Sequence, residues 1–130
     1  MNRIRGKPNV LLIVADDMGY GDFGAFNPGF VDTPNLDALI DQSVCFRQHY
    51  SASPICSPAR ASLLTGRVPQ RTGAITQHDL HGLDRIALRE VTIADMFQNS
   101  GYKTGLVGKW HNGALDRRFE PNARGFGEFV

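Results

Sequence analysis

The chain has little cysteine, no long apolar run and no surplus of either charge. Two cysteines in 130 residues, Cys45 and Cys56, exclude a disulfide-dense scaffold. Neither belongs to a Cys-x-x-Cys pair or to a Cys/His set with zinc spacing. The longest wholly apolar run, Val10 to Ala15, is far too short to span a bilayer. A net charge of +1 leaves no basic field to hold nucleic acid or a membrane surface. The opening "MNRIRGKPN" is basic, but no long apolar stretch and small-residue cleavage site follow it. No secretory signal is therefore expected in the chain as written, and a cytoplasmic protein and a processed periplasmic or secreted one both remain open. Repeats and low-complexity segments are also missing.

What remains is an ordinary apolar share of 42%, enough for a core. "NVLLIVADD" reads as a buried strand that ends abruptly in two carboxylates, and "MGYGDFGAFNPGF" as a glycine-rich loop. "DTPNLDALIDQSV" predicts a helix with Thr33 as N-cap and Pro34 at its first position. "VCFRQHY" predicts a second strand, with Cys45 pointing into a core as a small hydrophobe. "SPARASLLTGR" predicts a helix capped by Ser57, with Pro58 first, that stops at Gly66. The stretch "RVPQRTGAITQHDLHGLDR" reads as a long polar connection. "TIADMFQNSGY" predicts a short helix with a Thr92 cap, and "KTGLVGKW" another buried strand. Strands alternating with helices point to a parallel sheet covered on both faces, with ligands beyond the carboxyl ends of its strands. Asp16 and Asp17 fall at one such end, Lys109 and His111 at another.

Three groups of residues carry potential chemistry. Cys56, in "PICSPAR", precedes a helix whose N–H groups and positive dipole end would lower a thiol pKa, with Arg60 one turn along. A capped helix with a buried cysteine and a surface arginine fits the same residues. A tyrosine-phosphatase loop fits poorly, because three residues between Cys56 and Arg60 are too few to wrap a phosphate. Asp16 and Asp17 offer hard oxygen donors suited to calcium or magnesium, or are solvated turn aspartates. Lys109 and His111 flank Trp110 in "GKWH". On a strand they would share a face, one to hold an anion and one to move a proton; polar ends of an edge strand would look alike.

"PICSPARASLLTG" resembles the first sulfatase signature throughout, and "GYKTGLVGKWH" resembles the second. "PNVLLIVADDMGYGDFG" and "TPNLDALIDQSVCF" are similar to the opening of that family. The likeness runs from about Pro8 to Val130. It implies an α/β fold of alkaline-phosphatase type, a mostly parallel sheet sandwiched by helices, incomplete here, with residues 1–130 forming the N-terminal portion of a single catalytic domain. It implies a sulfuric ester hydrolase that cleaves sulfate monoesters. In that family the cysteine of Cys-x-Pro-x-Arg is converted to formylglycine by a formylglycine-generating or radical maturation enzyme. One hydroxyl of the aldehyde hydrate attacks sulfur and expels the alcohol, and the other loses its proton so that sulfate leaves. Carried over, Cys56 is nucleophile and metal ligand, and Asp16 and Asp17 are metal ligands for calcium, or magnesium in its place. Arg60 orients the hydrate, Lys109 contacts hydrate and sulfate, and His111 takes the proton. Asn112 stands where leucine is frequent.

The further aspartate and asparagine that complete the family's metal site, and a histidine and lysine on the sulfate, match nothing in these residues. The chain alone is therefore expected to be inactive. The implied substrate is a sulfated small molecule or carbohydrate. Two alternatives stand beside this reading: a phosphonate or phosphate diester hydrolase of the same superfamily, and a non-catalytic fragment that self-associates as a homo-oligomer. His78 and His81 read as solvated loop residues.

Overall fold

A computed structural model describes residues 6–78 and 81–130. The basic run before Gly6, and Asp79 and Leu80 of the polar connection, lie outside the described residues. The chain divides into two units, one ending at Gln48 and the other spanning His49–Val130.

In the first unit, helix α1 spans Pro34–Asp41, with Thr33 as N-cap and Pro34 at its start, as its sequence predicts. Thr33 does not cap through its side chain; its Oγ1 accepts from Gly24 N at 2.8 Å and donates to Asp37 Oδ1 at 2.7 Å. Asp37 Oδ1 also accepts from Ala25 N at 3.0 Å, so the glycine-rich loop is stitched onto the first turn of α1. A Cβ at Gly24 would stand 2.6 Å from Asp37 Oδ2, which explains the glycine there. Within the loop Tyr20 stacks on Phe26 with centroids 4.3 Å apart.

Two expected strands are not formed in this unit. Val10–Ala15 belongs to no strand, and Val10 to Val14 are 48–85% exposed. Residues 44–50 are likewise irregular, and Cys45 is exposed rather than in a core. The physical reason is common to both. A strand exists only through a ladder to a neighbour, and a continuous apolar run stays buried only under layers on both faces. Among the described residues the only sheet is the pair in the second unit.

In the second unit, α2 runs Cys56–Thr65, α3 Pro69–Thr72 and α4 Ile93–Asn99. Strand β1, Gly105–Leu106, pairs in parallel with β2, Glu128–Phe129. Helix α2 starts earlier than its sequence predicts: Ile55 is the extended N-cap and Cys56 the first helical residue, while Gly66 ends it in the left-handed region at φ 66°. Helix α4 has the expected Thr92 cap, closed into a box in which Thr92 N donates to Asp95 Oδ2 and Asp95 N to Thr92 Oγ1.

The connection between α2 and α4 is not the solvated loop its polarity predicts. It holds α3 and buries Thr72, Ala74 and Ile86. Ala74 and Ile86 join Ala61, Ala94, Trp110 and Phe126 in the core, with Trp110 edge-on to Phe126 at 5.9 Å. Polar side chains go inward beside them. Glu90, nearly enclosed, takes a two-pronged contact from Arg67 at 2.8 and 3.0 Å. Arg124 donates to the carbonyls of Ala87 and Glu90, and burial pulls its pKa down. No helix among the described residues is long and apolar enough to cross a membrane.

Candidate active site

Cys56 opens α2, where an extended N-cap and no capping side chain leave the first-turn amides without intrahelical acceptors. Pro58 removes one of those donors, which leaves the N–H groups of Cys56 and Ser57 without an intrahelical acceptor. The thiol is half-buried and free, as is that of Cys45. Ser57, the expected cap, is instead wholly buried, and its hydroxyl donates to the carbonyl of Asp84 at 2.5 Å. That bond fastens the start of α2 to the connection that follows α3.

Arg60 lies one turn beyond Cys56 on the same helix. Its Nη1 donates to the main-chain carbonyl of Lys109 at 2.6 Å. The two signature stretches are thus joined directly, guanidinium to backbone, across 49 residues of chain.

Lys109 and His111 sit differently from the expectation of a shared strand face. β1 ends at Leu106, and the segment after it is an irregular loop. Gly108 has φ 102° and Gly113 φ 112°, and His111 itself lies in the left-handed region at φ 54°, unusual for a residue with a Cβ. The alternation rule ends with the ladder, and the loop is shaped by other constraints. Trp110 is buried and its Nε1 donates to Phe119 O at 2.9 Å. Asn112 is wholly buried and donates to Trp110 O at 3.1 Å. A Cβ on Gly113 would fall 2.5 Å from Phe119 Cβ. With Trp110 and Asn112 turned in, Lys109 stays exposed and His111 half-buried. The imidazole Nε2 lies 2.9 Å from the carbonyl oxygen of Gln77, and Nδ1 is shielded from solvent with no hydrogen-bond partner among the described residues.

Asp16 and Asp17 belong to the first unit, in a bend after the apolar run, and both are exposed. Each offers a carboxylate oxygen within 4.8 Å of the other's, and Asp17 holds φ 58°. Aspartate is one of the few residue types with a side chain that visits this left-handed region as a single residue. Two convergent hard donors fit calcium or magnesium, and fit zinc poorly. His78 and His81 are exposed, as expected of loop residues.

Sequence reasoning gave Ser57 the role of a cap rather than a tie to the connection, and it missed Asp84 and Gln77. They act through backbone carbonyls or a buried hydroxyl, which leave no side-chain pattern. The one available signal was the apolar content of the connection, Ala74, Ile75, Ile86 and Ala87, which a solvated loop does not need.

The sulfatase family model matches residues 8–130. The chain belongs to the sulfatase family. Human arylsulfatase G is 43% identical over 120 residues, covering 92% of this chain and 23% of that protein. The steryl-sulfatase of Rattus norvegicus is 41% identical over 135 residues, covering 95% and 23%. The solved structure of Ps i-CgsB superposes with a TM-score of 0.87 at 38% identity, covering 95% of this chain and 28% of that one. The same protein has been solved in complex with k-i-k-neocarrahexaose. This sulfatase chain therefore has the alkaline-phosphatase-like fold of its neighbours, and it spans about a quarter of the length of the curated relatives it matches. The sequence-level likeness of its two signatures to the family stands.

Proposed function

We propose that these residues form the N-terminal portion of the catalytic domain of a sulfuric ester hydrolase, with Cys56 converted to formylglycine. The observation that carries this reading is the bond from Arg60 to the Lys109 carbonyl, which binds the helix turn bearing Cys56 to the loop bearing Lys109 and His111. A capped structural helix has no need of that link, or of a free thiol among open amides.

The roles follow from the chemistry of each group. A formylglycine hydrate supplies two hydroxyls on one carbon, one for attack on sulfur and one for release of sulfate. Cys56 places that carbon at the open amide end of α2, where negative charge is favoured. Arg60 holds the turn against the loop through its bond to the Lys109 carbonyl. Lys109, exposed on a fixed backbone, meets the negative sulfate. His111 accepts the proton that frees the product. Asp16, Asp17 and the modified Cys56 would hold a divalent cation, calcium or magnesium, which would polarise the sulfate oxygens.

The maturation enzyme is a partner of this reading. Ser57 and Pro58 are buried once α2 packs, so the stretch from Cys56 to Arg60 is legible only before folding. The substrate class is a sulfated small molecule or carbohydrate, in line with the oligosaccharide bound by one structural neighbour. The chain by itself is expected not to turn over, since two carboxylates and one residue fill only part of a calcium shell of six or more oxygens.

The test is a paired assay of a longer protein that carries these residues, with matured Cys56, on an aryl sulfate and an aryl phosphate diester. Faster sulfate hydrolysis supports the reading. Preference for the diester would move the protein to another branch of the superfamily, and no turnover of either would leave a non-catalytic, self-associating module.

A further inference from the structure

The connection after α3 reaches the proposed site from two sides, which its polar sequence hides. Its Asp84 carbonyl takes the Ser57 hydroxyl next to Cys56, and its Gln77 carbonyl lies 2.9 Å from His111 Nε2. The second contact has a chemical consequence. A carbonyl oxygen can only accept, so Nε2 must carry the proton in the bond to Gln77. A neutral imidazole then has its lone pair on Nδ1. That atom is shielded from solvent and meets no hydrogen-bond partner among the described residues.

From this we infer that Nδ1 is the proton-accepting atom of His111, and that the main chain of Gln77 is a positioning group that fixes this tautomer. The inference deepens the sulfatase reading and rests on it for the identity of the proton donor. The Gln77 carbonyl is well placed to hold a ring still. Ile75 N and Thr76 N, just before it, both donate to Leu83 O, at 2.7 and 3.1 Å. Ala87 N donates to Thr72 O at 2.7 Å and closes the base of the same loop. His111 itself lies in the left-handed region, between Gly108 and Gly113, which also have positive φ. The ring is tied at Nε2 to this hydrogen-bonded connection, and Nδ1 keeps its lone pair. A buried histidine kept only for packing would be expected to satisfy both ring nitrogens.

The test is nitrogen NMR of the full 130-residue chain carrying labelled histidine, with His111→Gln to assign its resonances among the four histidines. The expected result for the neutral ring is one held form: a slowly exchanging Nε2–H close to the Gln77 main chain and an unprotonated Nδ1. Urea-denatured chain provides the averaged reference. A proton on Nδ1, or a spectrum of His111 indistinguishable from the denatured reference, would overturn the inference. The readout is independent of turnover. An active longer enzyme with Nδ1–H would sink the tautomer and leave the sulfatase reading intact, and a held Nε2–H in an inactive enzyme would do the reverse.

Discussion

Cys56 is the residue on which the proposed chemistry turns, and under that proposal its surroundings would serve modification before folding and catalysis after it. In the unfolded chain Pro58 and Arg60 are accessible; in the folded chain Pro58 is buried and Arg60 is bonded to Lys109 O. Coexpression with an active maturation enzyme should therefore yield formylglycine at position 56, read by mass spectrometry of the peptide that spans it. Unmodified thiol throughout, with the maturation enzyme verified, contradicts the assignment. Pro58→Ala and Arg60→Ala should both lower the conversion. Lys109 offers a second test at this scale. In a longer protein that carries these residues, Lys109→Ala should lower kcat roughly a hundredfold or more, the loss typical of one transition-state donor. A change in KM alone would assign Lys109 to substrate binding only.

At the scale of elements, α1, α2 and α4 were legible and α3 was not, and of the three expected strands only the one in "KTGLVGKW" forms, as the two residues of β1. The Pro34 and Thr92 starts of α1 and α4 follow from local chemistry, as does the Gly66 stop of α2. Caps and left-handed termini are decided within a few residues. Val10–Ala15 has the composition of a strand but no ladder among the described residues, because a strand needs a partner that its own sequence cannot supply. The loop of Lys109 and His111 departs from a strand for a related reason: its path is set by Trp110 bonding to the Phe119 carbonyl and by Gly113 packing against Phe119, contacts that lie outside the local pattern. Thus candidate site residues could be named from side-chain patterns, and the carbonyl contacts around them could not. The glycines give a graded check on this account. Gly66 has φ 66° and nothing near its missing Cβ, so Gly66→Ala should cost only the left-handed penalty, about 1–2 kcal/mol. Gly125 has φ 89°, and a Cβ there would lie 2.4 Å from Asp95 N, a backbone atom in the first turn of α4. Gly125→Ala should cost roughly 1–3 kcal/mol more than Gly66→Ala, through overpacking. Urea unfolding of the two variants side by side measures the difference; equal midpoints would mean that the close approach to α4 does not exist.

On the scale of the whole molecule, the chain supplies some parts of a sulfatase and shows large apolar side chains to solvent, Leu11 and Val107 among them. Under the proposed ligand set, which fills only part of a calcium shell, the 130-residue chain should hold calcium weakly. It should show no meaningful hydrolysis of an aryl sulfate even when Cys56 is matured, and rates comparable to those of a longer protein would mean that the site is complete within these residues. The measurement that reaches the central claim most directly is aryl sulfate hydrolysis, with calcium present, by a longer protein carrying this chain, compared with its Cys56→Ala variant. The account predicts turnover by the matured protein and a loss of at least roughly a thousandfold in the variant, as for removal of a covalent nucleophile. Equal rates from the two would show that Cys56 is not the nucleophile.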